Sequence, residues 1–282
     1  MASVTQVING VSGVLPAAKQ PRGGYLDPRK FKVTHLEDDP KPLNEKESVS
    51  AGIVGMAVDY LTRVETGTNV YDAFHVSFMG AKLLATRGGR ADAVETASGI
   101  AAQIVPGLDD RSIVAACRLV NYDAVYRTGA GLPGYRWPLP EPDTIVADAP
   151  TCENIRTMVR RGVRFFDAYG PVTHDGLTFT GGYTEKVDTG DGDFMTADAV
   201  WDFKTNKKPP TNKHTLQICV YWLLGMHSIH HEDYEKVNRI GFVNPRLSQV
   251  ITMEVADIPN DTLRAIQRDV IGYSDDQIID FD

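Results

Sequence analysis

Asp193, Asp202 and Lys204 are residue types that can hold a divalent cation beside a phosphate, and their spacing lets them meet. They lie in the window Gly-Asp-Gly-Asp-Phe-Met-Thr-Ala-Asp-Ala-Val-Trp-Asp-Phe-Lys-Thr over residues 190–205. Two short runs of alternating polarity flank Ala197-Asp198, so the window predicts a tight hairpin. Side chains alternate faces along a strand. Asp202 and Lys204 therefore project one way, and Trp201, Phe203 and Thr205 the other. The hairpin returns Asp193 to the neighbourhood of Asp202. Two carboxylates and an ammonium at one spot suit a hard cation such as Mg²⁺ next to a scissile phosphate. The plainer reading is an acidic surface turn followed by a core strand. Against it, Trp201 and Phe203 flank two charges that a core strand would avoid.

A helix predicted from about Lys213 to His227 follows. His214, Gln217 and Tyr221 are three and four residues apart and share one face of it. Leu216, Val220, Leu223 and Leu224 supply apolar packing. Alone, such a stripe is an ordinary helix edge. With the carboxylates upstream it becomes a second wall of the same site.

The ordered set Gly190-x-x-Asp193, Asp202-x-Lys204 and Gln217-x-x-x-Tyr221 resembles the PD-(D/E)XK nuclease superfamily, and the last element is similar to its RecB-like branch. The resemblance implies an α/β fold with a restriction-endonuclease-like core: helix, three strands, helix, strand, in a mixed sheet flanked by helices, with a helical insertion. It implies metal-dependent hydrolysis of DNA phosphodiester bonds. Asp193 and Asp202 would hold Mg²⁺, with Mn²⁺ able to substitute, helped by the Phe203 carbonyl. Glu185, expected on the strand before the hairpin, is a further candidate ligand. An upstream helix in this branch often bears Gly-x-x-His. The matching stretch is Gly55-Met56-Ala57-Val58-Asp59, with Asp59 in place of His, and a carboxylate suits Mg²⁺ better. Lys204 would orient or activate the attacking water and stabilise developing charge. Gln217 and Tyr221 would shape the site. Iron–sulfur members of the branch use four cysteines. This chain has three, Cys117, Cys152 and Cys219, so no cluster is expected. Two other readings fit the same residues: a non-catalytic nucleic-acid-binding or assembly subunit that retains the fold, and an RNA-cleaving effector. The motifs do not choose between exonuclease and endonuclease action.

A net charge of −8 argues against a generally nucleic-acid-coated surface, so any contact with DNA must come from local basic groups. Lys207, Lys208 and Lys213 surround the candidate site in sequence. Arg156, Arg160 and Arg164 recur every four residues in a helix predicted over 153–168, which puts three guanidinium groups along one stripe. His227, His230 and His231 with Glu232 and Asp233 could be drawn as a zinc site, but they follow a helix end and read as incidental. Scattered cysteines and the lack of a signal-peptide pattern or long apolar run point to a cytoplasmic protein that contacts no membrane. No Gly-x-x-x-x-Gly-Lys-Ser/Thr motif occurs, so unwinding of DNA would need a helicase or other protein partner.

The elements that must position these residues follow from periodicity and punctuation. Residues 1–48 read as an irregular segment with a short apolar piece over 4–14. A single nuclease domain follows over 49–282, with its core in 171–282 and helix 50–66, and a helical insertion over 67–170. Helices are predicted over 71–87, 91–104 and 109–126, the last capped by Asp109-Asp110. Residues 129–143 read as a linker loop. Strands are predicted over 177–187, 193–197, 199–205, 237–243 and 249–255, with Asn244-Pro245-Arg246 in the last turn, and a final helix begins near Asn260.

Overall fold

The computed structural model describes residues 2–87, 89–128 and 141–281. It comprises two compact units, Met1–Leu36 with Phe165–Asp282, and Glu37–Arg164. The first is α/β. Its sheet has six strands: β1 (Lys32–His35), β2 (His174–Leu177), β3 (Gly192–Thr196), β4 (Ala199–Phe203), β5 (Arg239–Asn244) and β6 (Gln249–Glu254), in the order β1-β6-β5-β4-β3-β2. β2, β3 and β4 form an antiparallel meander. β5 runs parallel to β4, and β6 and β1 continue antiparallel. Parallel neighbours need a crossover. The helix Asn212–Met226 supplies it.

The alternation of side chains gives the sheet two apolar faces. Phe194, Ala199, Trp201, Val243 and Val250 pack with Phe165 at the end of the helix Ala149–Tyr169. Met195, Val200, Ile240, Phe242 and Ile251 form the other face, in one cluster with Leu216, Val220, Leu223 and Leu224 of the crossover helix. That helix is buried all round apart from its ends and Gln217, because the short helix Val4–Asn9 and the C-terminal turns Ile266–Ile271 cover its outer side. Such a helix carries no clean polar stripe.

Gly225 shows how closely it is packed. A Cβ there would lie 2.2 Å from ring atoms of Tyr234. Alanine is worth up to about 1 kcal/mol over glycine in an unencumbered helix. At this site overpacking should outweigh that gain, giving Gly225→Ala a net loss of about 1–2 kcal/mol. Thermal unfolding checks this: a midpoint equal to or above wild type would mean that the Tyr234 ring moves aside at no cost.

Three features of this unit depart from the sequence expectation. Residues 1–36, read as irregular, contribute the helix Val4–Asn9, capped reciprocally by Ser3 and Gln6, and the edge strand β1. Second, the strand expected over 177–187 ends at Leu177. Gly181 turns the chain at φ +93°, and the backbone of Gly182 lies so close to the Leu224 carbonyl that a Cβ would be 2.1 Å from it. The segment leaves the sheet to pack on the helix end. Third, β4 ends at Phe203, although Lys204 N–H still donates to Val243 O at 2.9 Å.

The second unit is helical. Its members include Ala51–Glu65, His75–Arg87, Ala93–Ala101 and Asp110–Leu119, with Ser50 and Asp109 accepting at the first and last of these N-termini. The helix expected over 71–87 is broken at Phe74, where Asn69 caps a separate turn, Val70–Ala73. Asp123 is fully buried and accepts from Tyr60 Oη at 2.6 Å and from Ser77 Oγ at 2.5 Å. Buried Arg161 is paired with Glu37 at 2.7 Å and donates to Lys41 O. The helix Ala51–Glu65, expected to join the nuclease core, groups with this unit. Of the expected linker over 129–143, residues 129–140 lie outside the described residues, and Pro142–Thr144 form a 3₁₀ turn. Among the described residues no helix is long and apolar enough to cross a membrane.

Candidate active site

The β3–β4 hairpin turns at Ala197-Asp198, as its sequence predicts, and its register pairs Phe194 with Trp201 and Met195 with Val200. Continuing that register sets Asp193 opposite Asp202, on the face turned to the crossover helix. Asp193 Oδ2 accepts a 2.6 Å hydrogen bond from the Phe203 backbone N–H and so ties the hairpin where the two carboxylates meet. Asp202 is buried, 4% exposed. Lys204 Nζ donates to its Oδ1 at 2.8 Å and lies 2.7 Å from Oδ2. Among the described residues Oδ2 forms no hydrogen bond, only this ion pair. Downstream, Arg246 Nε donates to Thr205 O at 2.6 Å and Asn244 Nδ2 to Asn206 O at 2.9 Å, fixing the chain that leaves the site.

Burial works to lower the Lys204 pKa, but the charges of Asp202 and Asp193 outweigh it and hold the ammonium above its ordinary value. Lys204 is therefore a fixed positive charge at neutral pH.

The crossover helix brings the remaining residues. Gln217 Nε2 donates to Tyr221 Oη at 2.9 Å and to Thr5 Oγ1 at 2.9 Å. Burial pushes the Tyr221 phenol up, the charges of Asp202 and Asp193 push it further, and the Gln217 and Thr5 hydrogen bonds oppose them. Burial lowers the His214 pKa, as does the nearby Lys204 ammonium, against the pull of Asp202. His214 Nδ1 accepts from Thr211 N–H at 3.0 Å, capping the helix. In the neutral ring the proton then sits on Nε2. Asp193, Asp202, Lys204, His214, Gln217 and Tyr221 are thus brought together within one unit.

The other candidates are placed differently. Glu185 is exposed on a bend, not on a strand; its neighbours Thr184 and Lys186 donate to Ile271 O and Asp269 O. Asp59 is in the helical unit and accepts from Arg63 Nε at 3.1 Å. It stands four residues after Gly55, one more than the Gly-x-x-His spacing. Phe203 supplies its N–H to Asp193, as above. Lys207, Lys208 and Lys213 are exposed around the N-terminus of the crossover helix. The arginine stripe is not a row of uncommitted charges. Arg156 is paired with Asp110 and Glu153 and donates to Leu108 O at 2.9 Å, and Arg164 is paired with Glu37 at 2.6 Å. Arg160 is exposed and forms no ion pair among the described residues. The histidines after the helix diverge: the His227 ring packs tilted against Tyr273 and His231 meets Glu235 at 3.0 Å.

Among the described residues no group of three or more His, Cys, Asp or Glu side chains is arranged to hold a metal ion. Asp193 and Asp202 form a two-carboxylate set. No family model matches the chain, and no curated protein or solved structure does.

Thr5 is the site residue that the sequence reading missed. Its helix carries a signal that could have found it: Ser3-x-x-Gln6 is a capping-box pattern, and Val4, Val7 and Ile8 follow at helical spacing.

Proposed function

We propose that this chain is a metal-dependent nuclease that hydrolyses DNA phosphodiester bonds, built on the restriction-endonuclease-like core of the RecB-like branch. The element order from β2 onward supports the fold: three antiparallel strands, a crossover helix, and a strand parallel to the third. The observation that carries the activity is the buried Asp202 carboxylate, aligned with Asp193 and paired with Lys204, one oxygen of which accepts no hydrogen bond among the described residues. Buried polar atoms in folded proteins are normally satisfied. A buried carboxylate oxygen that has only the Lys204 ammonium beside it, next to a second carboxylate, fits a hard cation. Two carboxylates suffice for Mg²⁺, which keeps several waters and takes further ligands from substrate phosphate.

Bound Mg²⁺ supplies Lewis-acid polarisation of the phosphoryl oxygen and a bound water of lowered pKa. The chain's own residues do the rest. The Asp202 and Asp193 charges hold the Lys204 amine as an ammonium. Its role is to donate hydrogen bonds and to offset negative charge building on the phosphorus oxygens. Tyr221 stays a neutral phenol, a donor rather than an anion. His214, proton on Nε2, offers a further donor at the mouth of the site.

The test is incubation with linear and circular, single- and double-stranded DNA and matched RNA, with Mg²⁺, Mn²⁺ or chelator. Metal-dependent cleavage of DNA, lost with chelator, is expected. No turnover on any substrate would leave the fold as a binding subunit, and cleavage confined to RNA would reassign the substrate.

The exposed lysines should position the backbone without reading bases. Replacing Lys207, Lys208 and Lys213 with Gln is expected to weaken all DNA sequences alike. Each lysine–phosphate pairing removed should flatten the slope of log affinity against log salt by about 0.7 for single strands or about 0.9 for duplex. One labelled oligonucleotide titrated at several salt concentrations checks this. An unchanged slope would remove these lysines from the footprint.

A further inference from the structure

The segment before Asp193 is built around the N-terminal helix. Val4 N–H donates to Thr189 O at 2.9 Å, and Asp188 N–H to Ala2 O at 3.1 Å. Val4 is buried, and a Cβ on Gly190 would lie 3.0 Å from its Cγ2 and 3.3 Å from the Phe179 ring. The glycine of the Gly190-x-x-Asp193 motif is thus the residue that lets this helix close on the strand bearing Asp193. On the far side, Ala18 N–H donates to Val7 O at 2.9 Å, holding the helix from behind. A short helix of this length is not stable alone. Its place is fixed by these contacts, and they aim Thr5 at Gln217.

The hydrogen bonds there have a direction. A carboxamide has two N–H donors and one acceptor oxygen. Gln217 directs Nε2 to Thr5 Oγ1 and to Tyr221 Oη, both at 2.9 Å. With both amide hydrogens committed, the amide plane is fixed and Oε1 is left as its acceptor. Tyr221 Oη accepts from Gln217, and the Thr5 hydroxyl likewise favours it as an acceptor, so its own proton is available to donate. Without the Thr5 oxygen the amide could rotate and offer Oε1 to Tyr221. The phenol proton would then be drawn to Gln217 and away from the substrate.

We propose that Thr5 is a positioning residue of the active site, whose hydroxyl fixes the Gln217 amide and thereby sets Tyr221 as a hydrogen-bond donor to the substrate phosphate. The inference rests on the nuclease reading above. Thr5 does not itself touch the reacting atoms. Its effect passes through Gln217 and through its own interaction with the Tyr221 hydroxyl, so it should act on turnover rather than on substrate affinity.

The experiment compares full-length wild type, Thr5→Val and Thr5→Ser in Mg²⁺-dependent cleavage of one DNA substrate, with thermal unfolding of each. Valine keeps the shape and removes the hydroxyl; serine keeps the hydroxyl and removes the methyl. Thr5→Val should lower kcat about fivefold to tenfold, the worth of one oriented hydrogen bond, with KM within about twofold of wild type. Thr5→Ser should restore kcat. A purely structural role would move the unfolding midpoint and leave kcat unchanged. Unchanged kcat in Thr5→Val overturns the proposal. So does a loss confined to KM, which would make Thr5 a substrate contact, or a loss that serine does not repair, which would make its methyl the operative group. A wild type that cleaves nothing is a different outcome: it removes the nuclease reading itself and this inference with it.

Discussion

Lys204→Ala is expected to lower the cleavage rate by about a hundredfold to a thousandfold, the range for removing one preorganised group from developing oxyanion charge. The ammonium lies 2.7–2.8 Å from both Asp202 oxygens and is held charged by Asp202 and Asp193 together. Because its folded pKa is raised, the pair's stabilisation is fully present below the ordinary lysine value. It fades only as pH rises through the elevated one, so comparison at neutral pH is fair. Removing Lys204 leaves a buried carboxylate without its counter-charge. The variant should therefore fold with a lowered unfolding midpoint. Lys204→Arg separates charge from geometry. A planar fork cannot reproduce a point ammonium, so it should recover stability more than rate. A folded Lys204→Ala variant that cleaves within tenfold of wild type would exclude the role given to this residue.

The parts of the site legible in the sequence are those written in local periodicity. The hairpin could be read because alternation over 192–203 and a two-residue turn leave one register. The faces of Asp202 and Trp201 followed from the same alternation. Gln217 and Tyr221 could be placed together because a four-residue step fixes a helix face, whatever covers the helix. What failed depended on distant partners. β1 has all four side chains exposed, so no hydrophobic pattern marks it; its pairing with β6 makes it a strand. The end of β2 is set by the approach of Gly182 to the Leu224 carbonyl, on a helix some forty residues later. Thr5 reaches Gln217 across most of the chain. The arginines kept their helical spacing, but Asp110 and Glu37 engage two of them, and spacing alone does not name partners outside the helix.

Asp202→Asn and Asp193→Asn are expected to reduce Mg²⁺ affinity and cleavage together, cleavage by about a hundredfold or more. A ligated metal is worth several kcal/mol of transition-state stabilisation, and each ~1.4 kcal/mol is tenfold. The two should differ in what else they disturb. In Asp202→Asn the lysine loses its main counter-charge, with only Asp193 left to oppose the effect of burial, so the Lys204 pKa should fall. Asp193 has a second task, accepting the Phe203 N–H at 2.6 Å. Asparagine retains a carbonyl oxygen that can do this, whereas alanine cannot. Asp193→Asn should therefore unfold near the wild-type midpoint, and Asp193→Ala below it through loss of the tie between the strands. If the asparagine variant loses metal affinity at unchanged stability while alanine loses both, the charge and the tie are separate functions of one carboxylate. Isothermal titration with Mg²⁺ on wild type and the two asparagine variants decides the metal assignment. Affinity unchanged in both would move the cation away from this hairpin, leaving the Asp193–Asp202–Lys204 cluster as a buried ion pair of the fold.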